Sequence, residues 1–214
     1  MIRIHDGSPG DLHALDPFAG PGSVPSVFRC VPTSAALVLG SRQSPHIVNR
    51  ERCLQAGLEV VTRRSGGGAV LIIPGDVVWI DVVAPRGVLP DDVRASMVMI
   101  GQWWCQALID EGVDAAQLSV HQGGMVSSSW SDLVCFTGIG PGEVLMGDRK
   151  LVGLSQRRTR HGVRIQGLVH LRTNLASMVP LFDVAVPDSA PTEPACLPDV
   201  DGGALAERLA VQLC

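Results

Sequence analysis

Apolar residues in this chain gather in short β-branched runs, each closed by glycine, proline or a polar cluster, with two stretches of helical spacing among them. Val27 to Val31 alternates as an edge strand does, and Ala35 to Leu39 is an apolar run stopped by Gly40, as in a buried strand. Asn49 to Ala56 carries helix formers with Val48, Cys53 and Leu54 roughly on one side, and Gly57 supplies the stop. Leu58 to Val61 and Val70 to Ile73 are strands joined by a glycine stretch, and Val77 to Val83 is the strongest strand signal and predicts a central position. Asp91 and Asp92 open a helix through Ile109, with Val93, Met97, Ile100, Trp104 and Leu108 recurring at three- and four-residue steps to form a core face. Asp132 to Phe136 and Ile165 to Leu171 are further strands. Glu143 to Met146 and Leu151 to Leu154 flank Gly147-Asp148-Arg149-Lys150 as a hairpin. A last helix over Ala204 to Leu213 places Leu205, Leu209 and Leu213 on one side to dock on the domain.

Proline and glycine mark the ends of this pattern. Residues 1–25 lack sustained periodicity and predict an irregular N-terminal arm. Residues 26–186 form the main domain, and residues 187–214 a proline-rich segment followed by the docking helix. A hydrophobic fraction of 46% with 18% charged residues is that of a folded globule, and aromatics at 4% make its core aliphatic. A formal net charge of −4 offers no general attraction to nucleic acid, and no apolar run approaches the roughly 20 residues that cross a bilayer. The first residues lack the regions of a signal peptide, so the expected location is the cytoplasm. The six cysteines contain no C-x-x-C pair and no paired spacing with histidines, which argues against a zinc site or a disulfide framework.

One count changes the picture. Of the 17 basic residues only Lys150 is a lysine, which singles out a position needing a compact ammonium that guanidinium cannot imitate. The other chemical signal is Arg63-Arg64-Ser65-Gly66-Gly67-Gly68-Ala69-Val70, where main chain without Cβ atoms lies beside two forked cations. That combination suits a carboxylate or phosphate; a flexible hairpin turn would look the same. It is neither a P-loop nor a dinucleotide fingerprint, since the spacing differs and no helix follows. His121, beside Gly123 and Gly124, is a turn residue or a binding group, and the basic run Arg157 to Arg164 is a solvated hairpin or a positive lip for a phosphate or an acidic protein.

Three segments in order, Gly40-Ser41-Arg42-Gln43, the glycine stretch from Arg63, and Gly147-Asp148-Arg149-Lys150-Leu151-Val152-Gly153-Leu154-Ser155-Gln156, resemble the lipoate–protein ligase family over roughly residues 35–175. The resemblance implies an α+β catalytic domain of the biotin/lipoate ligase type, a mixed sheet flanked by helices. It implies that Lys150 is catalytic and contacts the reacting carboxylate and phosphate, that Arg63 lies at the phosphate side, and that Ser65, Gly66, Gly67, Gly68, Ala69, Val70 and Leu71 line the acyl and nucleotide pocket. It further assigns Glu143, Gly153, Leu154 and Ser155 to the site. The implied reaction joins lipoate or octanoate to ATP, with Mg2+ and no metal held by the protein itself, and passes the acyl group to a lysine of a lipoyl domain of a 2-oxoacid dehydrogenase or of the glycine cleavage H protein. No nucleic-acid or membrane partner is implied.

The chain departs from the family pattern at Ile72 and at Gln166-Gly167, where histidines are usual, and at Gly142-Glu143, which stand for an asparagine-aspartate pair. Related octanoyltransferases share the domain and the lysine but take the acyl group from an acyl carrier protein through a cysteine thioester, for which Cys135 and Cys196 are the alternative nucleophiles. A non-catalytic lipoyl-binding role is a third reading, opposed by the retention of Lys150 in a chain otherwise free of lysine.

Overall fold

The structure, a computed structural model, describes residues 1–18 and 24–213. Its strands are β1 (Ile2–Gly7), β2 (Ser26–Pro32), β3 (Ala36–Leu39), β4 (Glu59–Thr62), β5 (Val70–Ile72), β6 (Val77–Pro85), β7 (Leu118–Val120), β8 (Val144–Met146), β9 (Arg149–Thr159) and β10 (Gly162–His170). The helices are α1 (Pro9–Ala14), α2 (Arg50–Gln55), α3 (Val93–Asp110) and α4 (Gly202–Val211). Seven strands form one mixed sheet in the order β1-β2-β6-β10-β9-β8-β7, and β4-β3-β5 form a second, smaller one. The expected α+β class, a mixed sheet flanked by helices, is what is found.

Side-chain alternation along the main sheet explains the layers. From β6, Ile80 and Val82 face α3 and α4 and pack with Ile100, Trp104, Leu108, Leu205 and Leu209. Trp79 and Val83 face the other way, with Phe28, Cys30 and Leu168, toward Leu37, Leu39 and Ile72 of the small sheet. The large sheet is therefore buried on both faces, which is why β6 reads as a continuous apolar run. Asp92 caps α3 by accepting from the Ala95 N–H at 2.6 Å, and the apolar stripe behind it is core except at Val93, which is 56% exposed. Among the described residues no helix is long and apolar enough to cross a membrane.

Three expectations change. The N-terminal stretch is not irregular: β1 runs parallel to β2 and takes the sheet edge expected for β2, and Ser8 caps α1, whose first position is Pro9. Both elements are six residues long, β1 mostly exposed and α1 burying only Pro9 and Leu12, so neither leaves an apolar period; residues 19–23 of that stretch lie outside the described residues. The strands on either side of the glycines do not pair with each other, for β4 runs parallel and β5 antiparallel to β3, which lies between them. The glycines are thus a crossover above the end of β3, and the hairpin-turn reading fails. Residues 132–136 form no strand: Cys135–Thr137 is a short 3-10 turn, and the neighbouring main chain pairs with the glycine stretch instead, Ala69 N–H donating to Leu133 O at 2.7 Å and Cys135 N–H to Ala69 O at 2.9 Å.

A buried ion pair ties α1 to the sheet. Arg164 donates from Nε to Asp81 Oδ2 at 2.7 Å and to the carbonyls of Leu15 and Leu12 at 3.0 and 2.8 Å, and Trp79 Nε1–H donates to the second Asp81 oxygen at 2.7 Å. Arg164 therefore leaves the basic lip and belongs to the core. Asp81→Ala is expected to cost roughly 3–5 kcal/mol in denaturant unfolding by stranding the guanidinium, and Asp81→Leu with Arg164→Met is expected to recover most of it. A single-variant loss below about 1 kcal/mol contradicts this. At the far end of β10 the proline-rich segment inserts between strand ends, the Ala195 N–H donating to Lys150 O at 2.9 Å and the Leu197 N–H to His170 O at 3.1 Å.

Candidate active site

The crossover is built from inside by Arg63. This residue is 4% exposed and donates to the carbonyls of Val38, Gly66 and Gly68 at 3.3, 2.7 and 2.9 Å. These bonds to the loop and to β3 give it a scaffold role beside the position expected at a phosphate, and the residue also lines a cavity between the two sheets. Gln43 clamps the loop from the other side, accepting from the Gly40 N–H at 2.9 Å and donating to Asp132 O at 2.8 Å, which explains why this motif precedes the glycines. Gly67 has φ +99°, a conformation open to glycine and strained for other residues.

Lys150 is the second residue of β9, just behind the Gly147-Asp148 turn, yet its side chain is not on a hairpin tip in solvent. It is 3% exposed, with Nζ 2.8 Å from Glu143 Oε2 and donating to Cys135 O at 2.8 Å, and it stands 5.2 Å over the Phe136 ring. Glu143 is held in turn, accepting from Gly140 N–H at 2.7 Å and Leu154 N–H at 3.2 Å. The ammonium is thus locked in place with two of its three donors occupied and one left over.

Two cavities meet beside it. One is a mainly apolar slot between the sheets, walled by Val38, Val70, Ile72, Trp79, Phe136 and Leu168, with His13, Arg63, Ser155 and Gln166 as its polar members. The other is an open cleft of about 430 Å³ lined by Gly66, Gly67, Gly68, Lys150, Arg42, Arg94 and Gln156. Cys135, Leu154 and Ser155 line both, so they mark the junction. Gly153 permits the slot by close approach, since a Cβ there would lie 2.8 Å from the Phe136 ring. Ser65 reaches across to Ser155 Oγ at 3.0 Å and donates to Gln166 Oε1 at 3.2 Å.

The residues expected at the site separate accordingly. Gly66, Gly67, Gly68, Val70, Glu143, Lys150, Gly153, Leu154 and Ser155 line one or both cavities. Leu71 does not: alternation along β5 sends Val70 and Ile72 into the slot and Leu71 into a separate cavity beside Ile73 and His170. Ala69 contributes main chain only, through its pairing with Leu133 and Cys135. Cys135, read from sequence as a strand residue and an alternative nucleophile, lies at the junction. Cys196 lines neither cavity, and burial, then the Glu193 carboxylate, pushes its thiol up, away from the thiolate a nucleophile needs. His121 is a turn residue, its Nε2 within 2.7 Å of Gly124 O. Arg158 is bound to Pro90 O and Ser96 Oγ at 2.7 Å each.

Sequence reasoning missed His13 and Trp79 in the slot and Arg42 and Arg94 in the cleft. Arg42 lay inside a motif already singled out. Arg94 and His13 carry no local signal, because each reaches the site through the packing of a helix end. Among the described residues no group of three or more His, Cys, Asp or Glu side chains is placed to hold a metal.

No curated protein matches the chain by sequence. Solved structures do match it by shape. A lipoate-protein ligase A bound with ATP superposes with TM-score 0.71 at 13% identity, covering 97% of this chain and 81% of the other. Ta0514 of T. acidophilum, solved with bound lipoic acid, gives 0.70 at 14% identity, covering 98% and 82%. A bi-partite lipoate protein ligase described with its E2 lipoyl domain, from Thermoplasma acidophilum, gives 0.65 at 14% identity, covering 98% and 80%. At such identities the likeness carries the fold alone. Sequence adds the rest, for the model of the lipoyl protein ligase A/B catalytic domain matches residues 18–196, a span holding the glycine crossover, Glu143 and Lys150, and the chain belongs to that family.

Proposed function

We propose that this protein attaches lipoate or octanoate to a lysine of a lipoyl-domain acceptor, activating the acid first as its acyl-adenylate with ATP and Mg2+. The observation that carries this reading is the meeting of an apolar slot with a cationic cleft at Lys150. An acyl tail lying in the slot brings its carboxylate to the junction, and a nucleotide phosphate fits the cleft beside the glycine crossover, Arg42 and Arg94. A carboxylate oxygen then bonds to the α-phosphorus and the bond to the β-phosphate oxygen breaks, releasing pyrophosphate. Two anions approach in this step, so fixed donors where the charge builds lower the barrier, and the remaining Lys150 N–H is such a donor. The acceptor amine afterwards attacks the acyl carbon, loses a proton, and displaces AMP. Glu143 positions the ammonium throughout.

A second reading is favoured by one observation: Cys135 lines both cavities, and its own carbonyl takes a Lys150 hydrogen bond. In that reading the Cys135 thiolate attacks an acyl thioester carried by an acyl carrier protein, expelling the carrier thiol, and the acceptor amine attacks the resulting enzyme thioester. ATP–pyrophosphate exchange with a panel of carboxylic acids decides between them. Adenylation predicts lipoate-dependent exchange, and Cys135→Ser within about threefold of the native rate. A covalent octanoyl adduct formed without ATP, absent from Cys135→Ser, overturns adenylation in favour of the thioester.

A further inference from the structure

One residue lining the slot lies outside the family span. His13 is carried by α1, before the first residue matched by the family model, and it lines both the slot and a second cavity adjoining it. Its ring stands 4.5 Å from that of Trp79, and Gln166 Nε2 donates to its Nδ1 at 3.2 Å, which leaves the ring proton on Nε2. Gln166 also accepts from Ser65, which is bonded to Ser155, so imidazole, amide and two hydroxyls form one hydrogen-bonded chain along the slot's polar side. Burial, with Arg164 and Arg63 nearby, lowers the His13 pKa to about 3. The ring is therefore uncharged at neutral pH and compatible with an apolar ligand beside it.

The space past His13 has a different character. It is bounded by Phe18, Arg64, Arg157 and Asp16, and neither Arg64 nor Arg157 has an ion-pair partner among the described residues. The imidazole stands with Gln166 between the mainly apolar slot and this space lined by Arg64 and Arg157.

We propose that His13 is the end wall of the acyl slot and sets the chain length and terminal group of the acids it admits. This rests on the reading that the slot holds the acyl chain. A ring at that position stops a straight chain after it has passed Trp79 and Leu168, and removing the ring opens the slot toward Arg64 and Arg157. The wall therefore acts twice, by length and by excluding acids whose far end is anionic.

The test is binding of hexanoate, octanoate, decanoate, dodecanoate and dodecanedioate, by calorimetry or displacement of a fluorescent fatty acid, to the native protein, His13→Ala and His13→Trp. Each methylene buried in the slot strengthens binding about fourfold. The native affinity is expected to rise to octanoate and fall beyond it. His13→Ala moves the optimum two to four carbons longer and binds dodecanedioate about tenfold more tightly than the native protein does. His13→Trp moves the optimum toward hexanoate. Opposite shifts from a smaller and a larger side chain are what a wall produces and a merely structural role does not. An unchanged chain-length profile in both variants, with the native protein binding normally, refutes the wall alone; a native protein that binds none of these acids refutes the acyl reading of the slot and the wall with it.

Discussion

Lys150→Ala is expected to reduce acyl transfer by a factor of about a thousand or more and to destabilise the protein by roughly 3–5 kcal/mol. The two effects have one cause. Lys150 is buried with Glu143, whose oxygens are fixed by the Gly140 and Leu154 N–H groups, so removing the ammonium leaves a carboxylate 3% exposed without its counter-charge. From sequence the lysine reads as an exposed hairpin residue of little structural weight; its burial reverses that expectation. Lys150→Met combined with Glu143→Gln separates fold from chemistry, because no charge is left behind, while the amide oxygen still accepts from one of the two N–H groups, which bond different oxygens of the carboxylate. This double variant should regain part of the stability in a guanidinium titration and none of the transfer, followed by intact mass of a lipoyl-domain acceptor. Lys150→Arg should also fail, since a planar fork cannot occupy the point between Glu143, the Cys135 carbonyl and the Phe136 ring. Transfer within about twofold of native in Lys150→Ala sinks the catalytic assignment.

Gly67→Val should rank second. The residue has φ +99°, and a Cβ would stand 2.8 Å from Arg63 Nη2 and 3.5 Å from Cys135 Sγ. A β-branched side chain there meets backbone strain and pushes Arg63 off the Gly66 and Gly68 carbonyls, so the crossover loses its internal support. The expected cost is about 2–4 kcal/mol in stability and at least about tenfold in affinity for lipoate. Gly66→Ala is the control, because nothing lies within 4 Å of its missing Cβ and its stability should stay within about 0.5 kcal/mol of native. A dissociation constant and melting temperature unchanged in Gly67→Val would reduce the glycines to a simple connection.

The same pair of residues shows what could be read from the chain. The glycine stretch, the solitary lysine and the strand and helix periods were legible because each is a local signal: composition at one position, φ freedom, or a repeat in apolar spacing. Partners were not. Nothing local says that Arg63 turns inward to three carbonyls, that Glu143 closes on Lys150, or that β3 lies between the two strands the glycines join. Those facts depend on contacts between segments distant along the chain. The segment around Cys135 misled for a related reason: its apolar residues look like a strand, while its hydrogen bonds go to the crossover. Residues 1–18 failed differently, since two elements of six residues each give too little periodicity to register, and His13 went unseen with them.

The stitching of Ala195 and Leu197 onto the ends of β9 and β10 gives the site a remote gauge. Pro194 and Pro198 flank these residues and have no amide protons, so between the two prolines the only main-chain amides are those of Ala195, Cys196 and Leu197. Two of the three are hydrogen-bonded, one to the carbonyl of the lysine itself and one to that of His170. Their isotope-exchange protection reports how firmly the lysine's main chain is anchored, read from residues that line neither the slot nor the cleft. The stiffness that proline imposes on this short strap also keeps little entropy to be lost on docking, so an anchor of two hydrogen bonds can be long-lived.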